Sequence, residues 1–159
     1  MLDVKVRDLE EDLLDEILVD AFEYLISTFD DNSIFLNKAS YTKKYTALKP
    51  VTFKHHLNLV WAYSASSIDW YYYGQYAEYD SRKNTINLHC SKKFTLAFVL
   101  DSLFHEYKHS QQRMTQYHYF RNFQRIPYDR NPLEIEANQF AELEVLKFWN
   151  TYEKKLPSK

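Results

Sequence analysis

Apolar side chains recur along this chain with two different periods, and the periods divide it into elements. From 8 to 29, Leu9, Leu13, Ile17, Ala21 and Leu25 follow one another at four-residue steps, with Leu14, Leu18 and Phe22 alongside. That spacing predicts an amphipathic helix, and the acidic cluster Asp8-Glu10-Glu11-Asp12 sits where a helix favours negative charge, at its amino end. Asp30-Asp31-Asn32-Ser33 supplies the turn chemistry that ends it. Residues 34–50 show no firm period and read as a loop or irregular strand.

From Thr52 to Ser64 the period changes to two. Phe53, Leu57, Leu59, Trp61 and Tyr63 alternate with Lys54, His56, Asn58 and Ala62, as in a half-buried strand. His55 and His56 read as strand or core histidines, because no partner spacing supports a metal role. After a connection over Ser64–Asp69 comes the aromatic run Trp70–Tyr79. The turn Asp80-Ser81-Arg82-Lys83-Asn84 and the alternating Thr85–Cys90 then predict a β-hairpin over 75–90. His89 and Cys90 lack metal-site spacing and read as structural.

Ser91 is placed to cap a long helix from about Phe94 to Tyr117, whose core stripe is Leu96, Val99, Leu100, Leu103 and Tyr107. Residues 117–130 read as a connection. Asn131-Pro132-Leu133-Glu134 then carries three helix-start signals: an Asn cap, Pro at the first helical position, and Glu three residues after the cap. That last helix runs to about Tyr152, and Pro157 lies in a frayed tail. Taken together, the pattern predicts a single α+β domain over 1–159: an N-terminal helix, a small, mostly antiparallel sheet, a central helix and a C-terminal helix.

Composition narrows what this domain can do. Acidic and basic groups are interspersed and the formal net charge is −2, which gives no electrostatic case for nucleic acid or an anionic membrane. The one cysteine cannot form an internal disulfide and no apolar signal segment is present, so the expected location is intracellular, in the cytoplasm. With one glycine in the chain, turns are expected to rely on Asn, Asp and Ser. Fourteen tyrosines offer apolar bodies with polar tips, suited to half-buried walls.

The candidate chemistry sits on the central helix. His105-Glu106-Tyr107-Lys108-His109 spells H-E-x-x-H, a signature expected by accident only about 0.015 times in a chain of this composition. At about 100° per residue, Glu106 falls about 100° and His109 about 40° from His105, so two imidazoles and a carboxylate share one face. Imidazoles on successive turns can hold one Zn²⁺, and the glutamate between them can take a proton from water. His105 and His109 lie off the core stripe, which leaves one side of the helix for packing and another for chemistry. A catalytic zinc usually has a third protein ligand. Glu134 and Glu136 are both candidates, and Glu134 has Asn138 one turn later on its own face. Glu134 can alternatively close a capping box with Asn131.

H-E-x-x-H followed by Glu134-Ile135-Glu136-Ala137-Asn138-Gln139-Phe140-Ala141 resembles the ImmA/IrrE group of small gluzincin-type metallopeptidases, whose members carry a similar E-x-E-A-N-x-F-A segment. The resemblance covers roughly residues 70–150. It implies a zincin-like fold, zinc on His105, His109 and Glu134, Glu106 as general base, and a protein or peptide substrate. It also implies that Thr85–Cys90 is an edge strand that aligns an extended substrate. A donor for the developing oxyanion is expected among Tyr117, His118, Tyr119 and Tyr128.

Overall fold

The structure, a computed structural model, describes residues 2–29, 40–44, 56–60, 77–80, 85–89, 93–112 and 114–156. Helix predominates among them. Helix α1 spans Glu11–Phe29 and is preceded by a 3-10 turn at Val6–Asp8. Strands β1 (Ser40–Lys44), β2 (His56–Val60), β3 (Ala77–Asp80) and β4 (Thr85–His89) follow, then α2 (Leu96–Gln111) and the short α3 (Met114–His118). A π-helical turn at Tyr119–Phe123 and a 3-10 turn at Tyr128–Arg130 lead to α4 (Pro132–Tyr152).

The core is built mainly from helix faces. Leu14, Ile17, Leu18, Ala21, Phe22 and Leu25 of α1 meet the α2 stripe Leu96, Val99, Leu100, Leu103, Phe104 and Tyr107, together with Ala141, Val145, Phe148 and Trp149 of α4. The four-residue recurrence in α1 is therefore a burial pattern, and the five α2 positions expected to be core are all fully buried. Ile86 and Leu88, two residues apart on β4, enter the same core, as a strand's alternation requires. Aromatic rings fill the seam between helices: Tyr24 packs on Phe104 and Phe148 at 6.2 and 5.3 Å, and Phe29 on Phe140 at 4.9 Å.

The expected α+β domain with a mostly antiparallel sheet is corrected. Helix outweighs strand among the described residues, and the strands pair in the order β1-β2-β4-β3. The β1–β2 and β2–β4 pairings are parallel, and β3–β4 alone is antiparallel. Alternation marks a strand but not its direction, which depends on the connection. The short link from β3 to β4 can only fold back as a hairpin, whereas the longer links elsewhere permit crossovers. The order also corrects the edge strand: β4 lies between β2 and β3, and among the described residues it is β3 that ends this side of the sheet.

Three further expectations are corrected. The N-cap of α2 is Thr95, whose hydroxyl accepts from the Phe98 amide at 3.1 Å. The helix begins there because the N-terminal segment docks on it: Leu96 N–H donates to the Val4 carbonyl, Ala97 N–H to Leu2, and Val6 N–H to Phe94. The predicted helix to Tyr117 breaks at Gln112, which is extended at φ −92° and ψ 158°. The left-handed position after the π-helical turn is taken by Arg125, at φ 53°, and not by Asn, Asp or Ser. The turn at 30–33, the connection at 64–69, His55, Trp70–Tyr76, Cys90, Ser91 and the tail from Pro157 lie outside the described residues. No helix among the described residues is long and apolar enough to cross a membrane.

Candidate metal centre

The centre forms where the C-terminal half of α2 crosses the first turn of α4. The α4 start is set by its own sequence. Asn131 accepts from the Leu133 amide through its side chain at 3.0 Å, and Pro132 occupies a position where a missing N–H costs nothing. The Asn131 amide donates to the Tyr128 carbonyl at 3.2 Å rather than back to Glu134. The capping box is therefore not closed, and the Glu134 side chain turns toward α2.

There Glu134 Oε1 lies 2.8 Å from His105 Nε2 and 3.0 Å from His109 Nε2, and the two Nε2 atoms are 3.1 Å apart. The imidazole planes are nearly perpendicular, at 82°. His109 and Glu134 are buried, at 5% and 3% exposure, so the carboxylate has little water to solvate it and depends on these neighbours. Burial alone would raise the Glu134 pKa, but hydrogen bonds from His105, His109 and Tyr117 outweigh it and hold the carboxyl well below the usual carboxylate range. Burial would likewise lower the pKa of His109. Its bond to Glu134 and the nearby Glu106 and Glu134 charges overcome that and raise it.

His105, His109 and Glu134 form a group that can hold a metal ion. The donor set fits: two imidazole nitrogens and one carboxylate oxygen converge on one point. Zinc bonds of about 2.0–2.1 Å to a tetrahedral set imply ligand–ligand edges of about 3.3 Å, so the triangle observed here needs to widen by only a few tenths of an ångström. The other carboxylate oxygen, Oε2, accepts from the Tyr117 hydroxyl at 2.6 Å. Tyr117 thereby leaves Oε1 as the oxygen directed at the imidazoles.

A cavity of about 550 Å³ opens over this group, walled by Ala77, Glu78 and Tyr79 of β3, by Asp101, Ser102 and Glu106 of α2, and by His118, Arg121 and Tyr128. Glu106 lies in that wall, and its burial raises its pKa against the opposing pull of His109 and His105. Tyr128, beside Glu134 and Glu106, has its hydroxyl pKa pushed up by burial and then by those charges, which keeps it a proton donor.

The expected residues separate clearly. His105, Glu106, His109, Glu134, Tyr117, His118 and Tyr128 are brought to one cavity. Tyr119 and Asn138 are not: Tyr119 is 49% exposed and stacks on Phe123, and Asn138 is on the exposed face of α4, away from the cavity wall. Glu136, the other candidate ligand, points outward to Lys108 Nζ at 3.7 Å and Gln112 Nε2 at 3.1 Å. The Tyr117 hydroxyl donates to Glu134, behind the carboxylate oxygen that faces the histidines. Arg121 and Gln112 were not foreseen. Gln112 holds His109, with its Oε1 2.6 Å from Nδ1. The sequence carried no signal for it, since the helix was expected to run through Gln112 to Tyr117.

Compared with known proteins, the chain matches no family model, no curated protein and no solved structure.

Proposed function

We propose that this chain is a zinc-dependent metallopeptidase, an enzyme that hydrolyses peptide bonds in a protein or peptide substrate. The observation that carries the reading is the convergence of His105 Nε2, His109 Nε2 and Glu134 Oε1 within 3.1 Å of one another, in a cavity whose wall also holds Glu106. A purely structural metal site has no use for that extra carboxylate, whereas hydrolysis needs a base at this place. The resemblance of the two sequence segments to ImmA/IrrE metallopeptidases supports the same assignment.

His105, His109 and Glu134 would hold the zinc, which when bound acidifies water toward a pKa of about 7 and polarises a carbonyl. Glu106 removes the proton from the attacking water and delivers it to the leaving amine. A raised carboxyl pKa suits both halves of that exchange, because proton transfer in each direction is then nearly balanced. Tyr128, held protonated beside the cavity, is the favoured donor to the oxyanion, with His118 and Arg121 on the same wall. Among the described residues β3 ends the sheet, and it lines the cavity, so an extended peptide is aligned by adding to that strand.

The test is Glu106→Gln. The variant should retain zinc while hydrolysis of a quenched peptide library falls by at least about 10²-fold. Cleavage at the wild-type rate would remove Glu106 from the mechanism, and a wild type that binds zinc yet cleaves no peptide would favour a non-catalytic binding module.

A further inference from the structure

We infer that Gln112 is a positioning residue that fixes which nitrogen of His109 faces the metal, a proposal that rests on the zinc-site reading above. Gln112 breaks the helix directly after the two histidines, and its side chain spans three groups. Its Nε2 donates to the Leu133 carbonyl at 2.9 Å and to Glu136 Oε1 at 3.1 Å, and its Oε1 lies 2.6 Å from His109 Nδ1. Leu133 O and an ionised Glu136 can only accept hydrogen bonds. The amide NH₂ must therefore face them, which turns the amide oxygen toward His109.

That oxygen also can only accept, so His109 Nδ1 must carry a proton and donate it. The consequence falls on the other ring nitrogen: in the neutral ring, Nε2 is left with its lone pair, aimed at the point shared with His105 and Glu134. The same side chain ties the end of α2 to the first turn of α4, since Leu133 directly precedes Glu134. Gln112 thus sets both the tautomer of one ligand and the distance to the segment that carries another.

Two variants separate positioning from bulk stability. Gln112→Leu removes the acceptor and the tether, and Gln112→Glu keeps an acceptor for Nδ1–H while losing the amide donor. Zinc affinity is measured by competition with a chelator, beside the melting of the metal-free chain. Gln112→Leu should bind zinc about tenfold to a hundredfold more weakly, and Gln112→Glu should recover to within about threefold of wild type, although both metal-free variants melt lower. In ¹⁵N-histidine spectra of the zinc-loaded wild type, His109 should show a slowly exchanging Nδ1–H that Gln112→Leu loses. Unchanged zinc affinity in Gln112→Leu overturns this inference alone, as does a loss of affinity in both variants that parallels their melting. A wild type that takes up no zinc overturns the site reading and this inference together.

Discussion

Replacing Tyr117 with Phe removes one oxygen atom from a buried contact and little else. The hydroxyl donates to Glu134 Oε2 at 2.6 Å, and Tyr117 is only 7% exposed, so no water stands ready to take its place. Hydrogen bonds to a charged partner contribute about 1.5–3 kcal/mol, because removing one leaves a desolvated charge unsatisfied. The ring is retained, so its edge-to-face contact with His109 at 5.8 Å survives and no large cavity term is added. The expected cost is about 2 kcal/mol, which for a chain of this length lowers the melting temperature by about 4–8 °C. Calorimetry of the metal-free protein near pH 6 reads this directly. Tyr119→Phe, at an exposed tyrosine outside the cavity wall, is the control and should change stability by less than about 0.5 kcal/mol. If Tyr117→Phe melts with Tyr119→Phe, the hydroxyl does not anchor Glu134 and the account of how that carboxylate is oriented fails.

In the metal-free protein, the site should make stability depend on pH with opposite signs on its two sides. The Glu134 pKa is depressed, so its contribution is complete above its ordinary value of 4.5 and is lost as pH falls through the lower folded value. The His109 pKa is raised, so its contribution is complete below 6.5 and is lost as pH rises through the higher folded value. Glu106, also raised, is most favourable below its ordinary value of 4.5 and loses its contribution as pH rises through the higher folded value. Denaturant titrations from about pH 3 to 9 should therefore peak on the mildly acidic side of neutrality, and a curve that rises steadily to pH 9 would contradict the coupling. Phe104→Ala, at a fully buried ring packed against Tyr24 and Phe148, should cost about 3–5 kcal/mol in chemical denaturation. A loss below about 1 kcal/mol would mean that the helix core does not depend on this seam.

What the sequence disclosed depended on how local the cause was. The stripes of α1 and α2 were legible because burial at three- and four-residue spacing is written in consecutive turns, and the Asn131-Pro132 start was legible because a cap acts within one turn. His105, Glu106 and His109 share a face by helix geometry alone. Glu134 and Glu136 could not be separated in the sequence, since the choice depends on how α4 crosses α2. The crossing turns Glu134 inward and leaves Glu136 with Lys108. The directions of strand pairing escaped for a similar reason, being set by connections rather than by alternation. The true cap, Thr95, replaced Ser91 because residues 2–6 bind the start of the helix from far away in the chain. Gln112 and Tyr117 act through single contacts across the fold, to His109 and Glu134, which no periodicity encodes.

The central claim is that His105, His109 and Glu134 hold one zinc ion, and metal stoichiometry with affinity tests it most directly. The purified wild-type chain, stripped and reloaded, should bind close to one equivalent of zinc, and His105→Ala and Glu134→Gln should each weaken binding by at least about a hundredfold. The metal-free variants should remain folded by circular dichroism. Zinc uptake by the wild type that persists at full affinity in both variants would place the ion elsewhere, and no uptake by the wild type would contradict the account outright.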